Sequence, residues 1–184
     1  MKNLSLVKNL SLCVVLLSLG ACSQGQKNVK TTFACVKNQE GIPTTEAQTA
    51  EQKIPIISWT SDFAKDVDYT PEKRCLEVSG KFQKYYDQGL LNYITTGTKT
   101  NQNIICVSSN LGGGCLDDES GGQLWTLKPE DNASTIIPAL LDSAYKGSGA
   151  IRQCGSDECE KGLIERNNGQ DYWNINAYLA KYGK

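Results

Sequence analysis

Histidine is absent from the 184-residue chain. Every mechanism that needs imidazole goes with it: Ser-His-Asp and Cys-His catalysis, His-ligated zinc, and histidine pH switches. An excess of one charge is missing too, because 19 Lys and Arg meet 20 Asp and Glu for a net charge of −1. That balance excludes a basic nucleic-acid clamp, whose affinity comes from neutralising phosphates. It equally argues against a long acidic tail. There is no Cys-x-x-Cys redox motif and no internal repeat. Long apolar runs are scarce: after residue 21 the longest is Ile136–Leu141, far short of a membrane span.

What is present begins with an address. Lys2 and Lys8 precede an apolar run from Leu10 to Leu19. As a helix that run reaches only about 15 Å, half of a bilayer core, so it reads as a signal h-region. Leu19-Gly20-Ala21-Cys22 then has the order of a bacterial lipobox, an aliphatic residue and two small ones before cysteine. Small residues admit the backbone to a peptidase groove, and the Cys22 thiolate is the nucleophile that accepts a diacylglyceryl group. Two or three acyl chains at about 0.8 kcal/mol per buried methylene give a nearly irreversible anchor. The expected organisation is a lipoprotein signal over residues 1–21, a flexible polar tether over 22–32, and a domain over 33–182. The expected location is the periplasmic cell envelope, anchored to a membrane through Cys22.

Eight cysteines become six once Cys13 leaves with the signal and Cys22 takes lipid. An even number in an exported chain implies disulfides, and six allow 15 connectivities. The sequential pairing is favoured. Cys154 and Cys159 enclose four residues including Gly155, and Cys106 and Cys115 flank a turn with Gly112, Gly113 and Gly114. Cys35 and Cys75 remain, closing the longest loop, worth on the order of 4 kcal/mol in the chain-entropy model. These spacings lack the short pairs of zinc ribbons, so neither a metal nor a cofactor is expected.

Along the domain, a strand is expected around Phe33–Val36, then a loop with Gly41 and Pro43, then a strand from Ile54 to Trp59. Pro55 assigns that second strand to an edge. Thr70 as N-cap, Pro71 at N1 and Gly89 at C′ bracket the clearest helix. Within it Cys75, Val78, Phe82, Tyr85 and Tyr86 form one inward stripe. Leu90–Thr96 and Ile104–Ser109 read as a hairpin, and Leu124–Leu127 as a short strand. Ser134–Tyr145 reads as a helix with Pro138 in its first turn. A second hairpin turns at Asn168-Gly169, and Asn176 is expected to cap a last helix. The fold class is α+β: one small domain, a largely antiparallel sheet on one long helix, stapled by disulfides.

Tyr69–Gln83 (YTPEKRCLEVSGKFQ), Leu91–Gly97 (LNYITTG), Ile104–Ser109 (IICVSS) and Leu124–Pro129 (LWTLKP) resemble the cyanobacterial circadian oscillating protein family. Phe33-Ala34-Cys35 and Pro55-Ile56-Ile57-Ser58-Trp59 fit the same pattern, so the resemblance covers roughly residues 33–180. It implies a membrane-associated envelope protein whose abundance, in the founding member, follows the day–night cycle. It supplies no enzyme activity and no catalytic residue.

Chemistry-bearing features are few. Asp117-Asp118-Glu119 offers hard oxygens for Ca²⁺ but lacks EF-hand spacing, so a solvated acidic turn is expected, as for Asp157, Glu158 and Glu160. Gly147-Ser-Gly149-Ala-Ile-Arg152 lacks the third glycine of a dinucleotide fingerprint. Trp59, Trp125, Trp173, Tyr172, Tyr93 and Tyr178 are either core or a sugar-stacking platform, with core favoured. Arg74 is expected to be paired structurally. The function expected is a non-enzymatic binding or interaction module, monomeric, with a protein or glycan partner and no nucleic acid. The alternatives are a glycan hydrolase with paired carboxylates and an accessory or inhibitor subunit of an envelope complex.

Overall fold

The computed structural model describes residues 30–61, 68–147 and 161–184. Cys22 with its lipobox, Cys154, Cys159, Asp157, Glu158, Glu160 and the segment Gly149–Arg152 lie outside the described residues. No helix among the described residues is long and apolar enough to cross a membrane.

Strands β1 (Thr32–Lys37), β2 (Pro43–Gln48) and β3 (Lys53–Ser58) form an antiparallel meander in that order. Pro55 has no N–H to give a ladder, and β3 does lie at an edge. The register slips beside it: Glu46 faces Pro55 while Thr45 faces Ile57, leaving Ile56 as the extra residue of a bulge. Ile56 and Ile57 are consequently both buried. The sequence reading extends the loop of Gly41 and Pro43 over the stretch where β2 stands. Thr44 and Thr45 are nevertheless buried, and Thr45 Oγ1 accepts hydrogen bonds from Trp59 Nε1 and Ser79 Oγ, both at 3.0 Å.

A second antiparallel sheet is built from β4 (Tyr93–Lys99), β5 (Gln102–Ser108), β6 (Gln123–Thr126), β7 (Ile164–Asn167) and β8 (Gln170–Asn174), in the order β6-β5-β4-β8-β7. The expected single sheet is thus two. The β4–β5 hairpin turns on Thr100 and Asn101, both at positive φ, as a two-residue reversal with right-handed twist requires. Where β4 and β8 diverge, side chains replace the ladder. Thr95 Oγ1 donates to the Asp171 carbonyl at 2.8 Å, and Gln170 Nε2 reaches Thr95 Oγ1 at 2.9 Å.

Helix α1 (Pro71–Asp87) begins as its sequence dictates: Thr70 caps it by accepting the Lys73 N–H, and Gly89 follows the end at φ 69°. Its inner stripe of Cys75, Val78, Ser79, Phe82 and Tyr85 is buried against β1, β2 and β6. Two further, shorter helices complete the described residues where the sequence predicts them, and α1 is the long one. In α2 (Ile136–Gly147), Ile137, Leu141 and Ala144 face β3 and β8. α3 (Ile175–Tyr182) is capped by Asn174, which accepts the Ala177 N–H at 2.8 Å, two residues earlier than the expected Asn176. Tyr178 stacks edge-on against Trp173 at 5.0 Å and donates to the Pro55 carbonyl, tying the second sheet to the first. One apolar core runs through both.

Cys35 of β1 is bonded to Cys75 of α1, with Cα atoms 5.4 Å apart, and Cys106 of β5 to Cys115, 5.5 Å apart. The second bridge lies on Gly97 of β4. A Cβ there would stand 2.2 Å from Cys115 Sγ, which a disulfide cannot yield as a flexible side chain would. Gly97→Ala is therefore expected to cost about 2 kcal/mol in equilibrium urea denaturation. The same change made in a Cys106→Ser, Cys115→Ser background should cost clearly less, a non-additivity that separates the clash from glycine's general effect on strands.

Candidate functional site

Helical steps of three and four place Arg74, Glu77 and Lys81 along one side of α1. Opposite them stand the β4–β5 turn, the half-buried Trp125 of β6 and the turn that follows β6. Trp59, just after β3, and Tyr69, just before α1, close the ends. Together they surround a cleft of about 770 Å³, within the size range of small-molecule sites.

The cleft walls are cross-braced. Trp59 meets Trp125 edge to face, centroids 5.5 Å apart at 76°, and its indole N–H is already held by Thr45. The buried Arg74 guanidinium lies 5.4 Å from the centre of the Trp59 ring and donates to the Ser61 carbonyl. Glu77 uses both carboxylate oxygens, accepting from Tyr69 Oη at 2.5 Å and from Lys81 Nζ at 2.6 Å. Lys81 also donates to the Leu124 carbonyl at 2.9 Å, which fastens α1 to β6. Across the cleft, Asp131 accepts the Lys128 backbone N–H at 3.0 Å.

These contacts set the ionisation. Burial pushes the Glu77 carboxyl up, but hydrogen bonds from Lys81 and Tyr69 and the Lys81 charge outweigh it and hold the group below the usual carboxylate range. The Tyr69 phenol moves up, first through burial and then through its hydrogen bond to Glu77 and that residue's charge. Glu77 is an occupied anion with no proton to deliver, whereas a general acid needs a carboxyl pushed upward.

Of the aromatic residues singled out from sequence, Trp59 and Trp125 line this cleft, Trp59 as a buried core residue and Trp125 half-buried. Trp173, Tyr172 and Tyr178 are core, and Tyr93 is half-buried elsewhere, directed at Glu165. Arg74 is brought to the cleft. The sequence reading missed Tyr69, Glu77, Lys81 and the amides Gln102, Asn103 and Gln123. The four-residue spacing of Glu77 and Lys81 was a legible signal for their pairing; the apposition of α1 with β6 was not.

No group of three or more His, Cys, Asp or Glu among the described residues is arranged to hold a metal ion. The acidic turn has another task. Asp118 accepts from Gly122 N–H at 2.8 Å, Ser120 Oγ at 2.7 Å and Tyr85 Oη at 2.9 Å, fixing the loop between β5 and β6 to α1. It is more than a solvated turn. Burial raises its pKa, but these hydrogen bonds prevail and lower it from 3.8 to about 2. The ionised form is thus favoured by folding, so its stabilisation is complete above about pH 4 and is lost as pH falls toward 2. Asp118→Ala should lower stability by about 1 kcal/mol near neutrality. Melting curves of variant and parent should converge as pH drops through that window.

No curated protein and no solved structure matches the chain. The family model for circadian oscillating protein COP23 matches residues 32–180. That span takes in both sheets, both described disulfides and every residue of the cleft, and the chain belongs to the circadian oscillating protein COP23 family.

Proposed function

We propose that this is an exported, lipid-anchored protein of the cell envelope whose folded part is a monomeric, non-enzymatic binding module, with the cleft between α1 and β6 as its binding site. The observation that carries the binding reading is the state of Glu77. The one carboxylate that α1 contributes to the cleft accepts from Tyr69 and Lys81 and is held ionised, so it does not supply the general acid that a hydrolase needs. A wall braced this way favours holding a ligand over reacting with it. The alternative, a glycan hydrolase, would draw its carboxylate pair in this cleft from Glu77 and Asp131, and Asp131 is also engaged, with the Lys128 N–H. The lipobox Leu19-Gly20-Ala21-Cys22 supports the anchor, and bridged cysteines fit an oxidising compartment outside the cytosol. The family's name brings day–night cycling of abundance into the same reading, checked by immunoblotting through a light–dark cycle.

Two measurements test it. Cells fed radiolabelled palmitate should label the parent protein and leave Cys22→Ala unlabelled; equal labelling removes the anchor. Purified protein incubated with envelope glycan should release no more reducing ends than Glu77→Gln does. A release that this variant abolishes would replace the binding reading with the hydrolase.

A further inference from the structure

Resting on the binding reading above, we infer that the cleft takes a neutral, hydroxyl-rich ring, the pyranose unit of a glycan chain, laid against Trp125. The lining chemistry selects this class. Trp125 is half-buried and braced by Trp59, so it offers a rigid apolar surface of the kind that packs against the C–H face of a sugar. Around it stand side-chain amides: Gln102 and Asn103 at the start of β5, both exposed, and Gln123 of β6. An amide carries two donors and an acceptor without charge, which matches a hydroxyl's own dual character. Gln102 and Asn103 follow directly on the tight Thr100-Asn101 turn and pair in register with Lys99 and Thr98, so their backbone is fixed before a ligand arrives.

The charged groups point the same way. Lys81 is bound to Glu77 and to the Leu124 carbonyl, Arg74 to the Ser61 carbonyl and the Trp59 ring, Lys128 is paired with Glu130 at 4.0 Å, and Asp131 accepts a backbone N–H. A phosphate or acidic peptide drawn to Lys81 would meet the Glu77 carboxylate beside it and would have to break that pair. A neutral polyol exchanges hydrogen bonds with water and leaves the braces intact. The volume of about 770 Å³ exceeds one sugar ring, so the fit is to a short stretch of chain.

The test is a titration of the purified, oxidised protein with chitotriose, maltotriose and cellotriose, with trigalacturonate and inositol hexakisphosphate as charged comparators, followed by tryptophan emission and calorimetry. At least one neutral trisaccharide should bind saturably. Trp125→Ala should weaken it roughly tenfold or more, and Trp125→Phe should recover part of the loss. Gln102→Ala, a fully surface change, should weaken it severalfold with an unchanged melting temperature, which keeps the result independent of any folding defect at position 125. Saturable binding of the charged comparators alone, lost in Trp125→Ala, overturns the neutral-glycan assignment while leaving the cleft a binding site. Failure of every probe to give a signal sensitive to Trp125 or Gln102 overturns the assignment, and a release of reducing ends would overturn the binding reading instead.

Discussion

The buried stripe of α1 is the constraint on which the rest of the molecule depends. Phe82 and Val78 supply its apolar contact, and three polar or covalent links fix the helix in rotation and along its axis. Cys75 is bonded to β1, Ser79 reaches Thr45 of β2, and Tyr85 reaches Asp118 in the loop before β6. Apolar packing alone tolerates small slides of a helix over a sheet; these directional contacts do not. With the inner side locked, the adjoining side that carries Arg74, Glu77 and Lys81 is set against β6, and the cleft follows from that placement.

Strand β6 needs such help. Four residues at a sheet edge, joined to β5 through a register shift between Ile105 and Cys106, make a weak ladder. The loop leading into it is held three ways: by the Cys106–Cys115 bridge, by Asp118, and by Lys99 donating to the Ser120 carbonyl at 2.6 Å. Lys81 then fastens the strand itself at Leu124. Trp125 owes its fixed position to these supports more than to its own strand. The absence of a side chain at Gly97 belongs to the same arrangement, since it gives the bridge its seat on β4.

Local signals carried most of the elements. Thr70, Pro71 and Gly89 mark α1 because capping and positive φ are decided within a few residues, and Asn168-Gly169 marks its hairpin for the same reason. Strand β2 was illegible because its buried face is threonine. Hydroxyls that look solvent-facing in sequence are satisfied by Trp59 and Ser79, which lie 14 and 34 residues away from Thr45. The cap of α3 was misplaced between two asparagines of equal propensity; the abrupt passage from β8 into helix selects Asn174. Trp59, Trp125 and Arg74 were legible as residues of interest, but not as one site. Lys81 meets Leu124 across 43 positions, a contact that no periodicity encodes.

The entry of the chain into the fold has a directional consequence. Lys30, at the first described position, is paired with Asp87 at the last turn of α1, 2.5 Å away. Glu77 lies ten residues back along the same rod, roughly 15 Å at the helical rise. The described chain therefore joins the folded body at the C-terminal end of α1, and the cleft is set back from that point toward the N-terminus of the helix.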